Sequence, residues 1–129
     1  MVDGCRIREL PDGGREFVLD QTALSFIRID DQSRLRFGLT EVAIATPFVL
    51  ATGGVVHHLS PQHSEGLGPL VALYPGSVRW MWTSPGGELR VVFQSGAVLT
   101  VSPDPVDTAW SVGNVYAQTG GAGPLPPAA

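Results

Sequence analysis

The segment "VVHHLSPQHSEG" gathers His57, His58, His63 and Glu65, all three histidines of the chain beside a carboxylate. Imidazole and carboxylate are zinc ligands, and a zinc-bound water is a hydrolytic nucleophile, so a metal-dependent hydrolase is one chemistry these residues could support. Their spacing argues against it. An extended backbone sends His57 and His58 to opposite faces, the path to His63 crosses Pro61, and no HExxH pattern is present. A zinc ion here would need ligands from elsewhere. The segment therefore reads as a polar loop leading into a helix, with no metal and no cofactor expected.

Other reaction centres are poorly supported. Cys5 lies near a terminus with no histidine close in sequence. No GxSxG pattern occurs, and neither "FQSGA" nor "TSPGG" comes with a positioned base. Asp30, Asp31, Glu41, Asp104 and Asp107 could pair as acid and base, but Asp30, Asp31 and Asp104 fall in turn contexts, where aspartate bonds its own backbone. The glycine pairs Gly13-Gly14, Gly53-Gly54, Gly86-Gly87 and Gly120-Gly121 lack the Lys and Ser/Thr of a phosphate loop and read as turns.

Binding chemistry fares better. In "SFIRIDDQSRLRFG" the apolar residues alternate with charge, which predicts a hairpin with Arg28 opposite Arg36 and Asp30 opposite Arg34, and Ile27 and Ile29 across from Phe37 and Leu35. The facing arginines Arg28 and Arg36, with Arg34 beside them, could receive an anion or an acidic partner group; Glu41 on the next strand could instead neutralise them. In "SVRWMWT" a tight turn setting Thr83 against Glu88 places Trp80 and Trp82 on the face shared with Leu89, Val91 and Phe93, which predicts burial. Aromatic residues are also frequent anchors of binding surfaces.

These residues are carried by strands. The hairpin continues into "TEVAIAT", and Pro47 is expected to direct "PFVLAT" to an edge or a bend. "SEGLGPLVALYPG" predicts a short helix, capped by Ser64 and ended by Pro75-Gly76. "SVRWMWT", "ELRVVFQ" and "AVLTVS" form a second meander. "RLRFGLTEVAIATP" and "ELRVVFQSGAVLTVSP" echo each other as strand, turn and strand ending at proline. The fold class expected is α+β, mostly antiparallel β, with two β-meanders and one short helix between them. Residues 1–115 form the single β-rich domain, and 116–129 a flexible Gly/Pro-rich tail.

Composition narrows the partners. A chain of 129 residues, 43% hydrophobic, can bury a core without disulfide or metal. Its net charge of −4 lacks the positive field that nucleic acid or anionic lipid demands. All eight basic residues are arginine, a usage suggesting a GC-rich bacterial genome. The charged start of the sequence does not resemble a signal peptide, the longest uncharged run is broken by Pro47 and Gly53-Gly54, and the single cysteine suits a reducing compartment. A cytoplasmic protein is expected.

The succession "RLRFG", "IATPFVL", "LSPQ", "LGPLVALYPGSVRW" and "GGELRVVFQSGAVLTVSPD", closing on "TAW", resembles a family of small uncharacterised bacterial proteins, domain of unknown function 6188, over Leu24 to Val112. The family's aromatic-Glu-Ala-Trp ending appears here as Asp107-Thr108-Ala109-Trp110. The resemblance implies a compact cytoplasmic domain with no catalytic residue to carry over. Together these readings lead to a non-enzymatic domain that binds another protein, by analogy an immunity-type protein neutralising a toxin, with homo-oligomer formation open. The alternatives are a small-molecule-binding protein and a metal-dependent hydrolase at the histidine segment.

Overall fold

The computed structural model describes residues 4–105, 108–113, 115–118 and 121–124, the last two stretches mainly as backbone. Thirteen strands are present among them: β1 (Cys5–Glu9), β2 (Arg15–Leu19), β3 (Phe26–Ile29), β4 (Ser33–Phe37), β5 (Thr40–Ile44), β6 (Phe48–Thr52), β7 (Val55–Leu59), β8 (Val78–Thr83), β9 (Leu89–Phe93), β10 (Val98–Val101), β11 (Trp110–Val112), β12 (Val115–Gln118) and β13 (Gly121–Pro124). A 3-10 turn, Ser64–Gly66, and one helical turn, α1 (Gly68–Val71), separate β7 from β8.

The strands form a seven-stranded sheet, β1-β2-β8-β9-β10-β6-β7, and a six-stranded sheet, β13-β12-β11-β5-β4-β3. The chain is thus mostly antiparallel β, with β3-β4-β5 and β8-β9-β10 as runs of consecutive neighbours, one in each sheet. Strand β13 and all of β12 after Val115 fall within the segment read above as a tail; 119, 120 and 125–129 lie outside the described residues.

The core lies between the sheets. Leu35, Phe37, Val42, Ile44 and Trp110 come from one side, and Leu50, Met81, Leu89, Val91, Phe93 and Leu99 from the other, in one cluster. Phe37 and Phe93, which close the first strands of the two echoing hairpins, meet at 6.5 Å. The Trp110 ring stands edge-on to Phe17 at 6.3 Å, and its indole N–H donates to the Gly87 carbonyl at 2.9 Å. A tryptophan on β11 thereby pins the β8-β9 turn of the opposite sheet.

Turn chemistry corrects several sequence expectations. Asp30 is the first residue of the β3-β4 turn, not a strand residue: its carboxylate accepts the Gln32 N–H at 3.0 Å, and its own N–H donates to the Gln32 carbonyl at 3.1 Å. Ile27 therefore pairs with Leu35 and Arg28 with Arg34, not with Phe37 and Arg36. The β8-β9 turn holds one residue more than expected, because the Ser84 hydroxyl and carbonyl accept the N–H groups of Glu88 and Gly87 and the Ser84 N–H donates to the Glu88 carbonyl. Thr83 faces Leu89, which exchanges the faces of Trp80, Met81, Trp82 and Thr83.

The polar loop expected around the first two histidines is in part a strand. Gly53 and Gly54, at φ of 60° and 78°, make the two-residue turn that folds β7 back on β6. Pro47 does mark a bend, since β5 and β6 belong to different sheets, but β6 is interior and β7 is the edge. The helix is short, as expected, but ends at Val71, before Pro75-Gly76. Ser64 does not cap it; Leu67 stands at the N-cap, with no side-chain bond.

Candidate functional site

The two sheets turn chemically different faces outward. On the seven-stranded sheet the altered β8 register and a bulge between Val78 and Trp80 send Val78, Met81 and Thr83 into the core and both tryptophans out. Trp80 is 49% exposed and Trp82 half-buried, correcting the burial expected from the shorter turn.

From Trp80 the strand pairings run through Val92, Val98 and Ala51 to Val56. This is an uninterrupted apolar row on the solvent side of five adjacent strands. The parallel row, Glu16, Trp82, Arg90, Thr100, Val49 and His58, is mixed. The Arg79 guanidinium lies 4.5 Å from the Trp80 ring centre, a cation–π contact. Arg79 and Arg6 are, among the described residues, the two arginines with no carboxylate within ion-pair reach. Val18, across from Arg6, borders the same notch of about 100 Å³ as Arg79 and Trp80, formed where the β2-β8 ladder stops.

On the arginine face of the six-stranded sheet every arginine meets a carboxylate. Arg34 reaches Glu41 at 3.1 Å and Asp30 at 3.5 Å, Arg36 reaches the other Glu41 oxygen at 3.6 Å, and Arg28 meets Asp30 at 2.9 Å. The Gln32 N–H foremost, helped by Arg28 and Arg34, holds the Asp30 carboxyl at about 2, below its ordinary 3.8. The bond that Arg34 donates to Glu41 in turn raises the Arg34 pKa above its ordinary value and fixes its charge. Arg28, Arg34 and Arg36 are gathered as expected, but their carboxylates come with them.

His57 faces inward at the end of the core row Met81, Val91, Leu99 and Leu50; His58 faces outward opposite Val49. Among the described residues no three His, Cys, Asp or Glu side chains converge on a point that could hold a metal ion. His57, Thr52, Tyr74 and Ser95 supply the polar edges of an otherwise apolar cleft of about 550 Å³ beside α1. Cys5 is buried, and burial foremost, with Asp20 adding to it, pushes its thiol up to about 11. At neutral pH it is a protonated thiol, which makes it a poor nucleophile. Asp107 lies outside the described residues.

Sequence reasoning missed Val49, Ala51, Val56, Val92 and Val98 as surface residues. The signal was present: "FVLA", "RVVF" and "AVLTV" are apolar at consecutive positions, whereas an antiparallel strand with one wet face should alternate. No helix among the described residues is long and apolar enough to cross a membrane.

One family model matches, over residues 16–120, and it describes a family of unknown function (DUF6188). No curated protein and no solved structure matches the chain.

Proposed function

Since the chain belongs to the family of unknown function DUF6188, which brings no activity to transfer, we propose from its geometry that it is a non-enzymatic domain that binds another protein through the outer face of the seven-stranded sheet. The observation carrying this reading is the outward row in which Val92, Val98 and Ala51, half-buried, link the exposed Trp80 to the exposed Val56. Contiguous exposed apolar surface is unfavourable in water unless a partner removes it, and an amphipathic aromatic ring is the usual anchor when one does. Arg79 and Arg6 define the partner's chemistry: an apolar strip with a carboxylate at the end that meets Trp80.

A cytoplasmic setting suits a protein whose one thiol is unpaired. In the narrower form of this proposal the partner is a toxin whose active site the sheet covers. The test is capture of the partner from cells of the source organism by the wild-type chain, by Trp80→Ser and Arg79→Glu, and by the double variant Arg28→Glu/Arg36→Glu. A stoichiometric partner lost from the first two and retained by the third is the expected result. Retention by Trp80→Ser and Arg79→Glu would overturn the assignment, and the identity of the partner decides the toxin version.

The cleft beside α1 favours a second reading, a small uncharged molecule held against His57. Native mass spectrometry of the purified protein checks it, since a co-purifying small molecule adds a discrete mass.

A further inference from the structure

The two sheets present four edges: β1, β7, β13 and β3. Exposed edges invite pairing with another chain, and proteins block them with charge, proline or a covering element. Three are blocked in this way. Strand β1 carries Arg6, Arg8 and Glu9, β3 carries Arg28, and β13 is Gly-Ala-Gly-Pro. Strand β7, Val-Val-His-His-Leu, has no formal charge and no proline, and its valines at 55 and 56 are 53% and 57% exposed. Among the described residues no loop or helix donates a backbone hydrogen bond to Val56 or His58, or accepts one from them.

The hairpin register defines what this edge offers. Thr52 and Val55 flank the two-residue turn and form its closing hydrogen-bonded pair. Alternation from that pair directs the backbone of His57 and Leu59 toward β6, and the N–H and C=O of Val56 and His58 away from it, into solvent.

We infer that β7 is a self-pairing edge, and that two copies of this chain join antiparallel along it about a two-fold axis at His57. In this register Val56 faces the second copy's His58 and His58 the second copy's Val56, so every outward donor meets an acceptor. Val55 covers the second copy's Leu59, and no formal charge opposes a like charge. The interface is isologous, as a closed two-fold dimer requires. The seven-stranded sheets become one continuous sheet, in which the apolar outer row of each copy ends at the second copy's His58 and is followed by that copy's mixed row. This inference rests on the edge and its register, independently of the proposed partner face.

The test is sedimentation equilibrium of the full chain over a wide concentration range, wild type against His58→Pro. Position 58 gives no N–H to β6, so proline there leaves the β6-β7 ladder intact while removing an outward donor. Val56→Lys is a second block that alters no backbone bond, and His57→Pro, which strikes the β6 ladder, is the folding control. The expected result is a wild-type mass that rises to twice the chain mass with concentration, and well-folded His58→Pro and Val56→Lys chains that stay single. A wild-type chain that is single throughout overturns the inference, as does a dimer that both variants retain. Trp80→Ser leaves this dimer in place, so failure of the partner assignment and failure of the dimer are separately visible.

Discussion

The outer faces of the two sheets carry the protein's candidate binding residues, and they differ in whether those residues are satisfied. On the six-stranded sheet Arg28, Arg34 and Arg36 share Asp30 and Glu41, so a ligand anion would displace contacts already made. On the seven-stranded sheet Trp80 and Val56 are exposed at the two ends of an apolar row whose middle members are half-buried, and among the described residues no carboxylate lies within ion-pair reach of Arg79 or Arg6. Residue type alone would favour the arginine-rich face. What separates the two is unmet interaction, and that favours the outer face of the seven-stranded sheet as the candidate site.

The largest effect should come from testing which side of β8 is which. Met81→Ala removes a fully buried side chain and should cost about 2–4 kcal/mol in denaturant unfolding, whereas Trp80→Ala, one residue away, should cost less than about 1 kcal/mol. Equal costs would mean that the bulge does not turn Trp80 out. Next is binding: Trp80→Ser should weaken partner affinity by about thirty-fold or more, a hot-spot loss of about 2 kcal/mol, in a calorimetric titration. Arg28→Glu/Arg36→Glu should change it by less than about three-fold, since those charges are already paired. A large loss from the double variant would reverse the comparison.

Smaller effects sharpen the arginine side. Glu41→Gln removes the shared partner of Arg34 and Arg36 and should lower stability by no more than about 1 kcal/mol, with the difference shrinking as salt is added. Asp30 sets a pH window. Its folded pKa, about 2, lies below the ordinary 3.8, so its contribution is fully present above about 4 and is lost as the pH falls toward 2. Carboxyl NMR titration should show Asp30 still ionised at pH 3; a midpoint near 4 would mean that the Gln32 N–H and the arginines do not hold it.

Much of this architecture was legible in the sequence because alternation reports which side chains share a face. The hairpins around "RLRFG" and "ELRVVFQ", the short helix in "SEGLGPLVALYPG", the turn at Gly53-Gly54 and the arginine cluster followed from pattern and turn residues. What failed was register. One more residue in the Ser84–Glu88 turn reverses the side chains from Trp80 to Thr83, and the identity of the turn residues did not reveal that Ser84 would bond to both Gly87 and Glu88. The Asp30 turn moved the arginine pairing by the same mechanism while leaving the faces unchanged. The apolar row was illegible for another reason. Val92, Val98, Ala51 and Val56 come from four strands, and only the order β9-β10-β6-β7 lines them up.

The most direct measurement of the central claim is hydroxyl-radical footprinting of the chain free and in complex with its captured partner, because oxidation rates report side-chain exposure residue by residue. The account expects Trp80 to be strongly protected in the complex, with Val56 and Val92 protected alongside it, while Phe26 on the arginine sheet oxidises at its free rate. Trp80 oxidising unchanged in a stoichiometric complex, with Phe26 shielded instead, would contradict the claim and move the binding site to the six-stranded sheet.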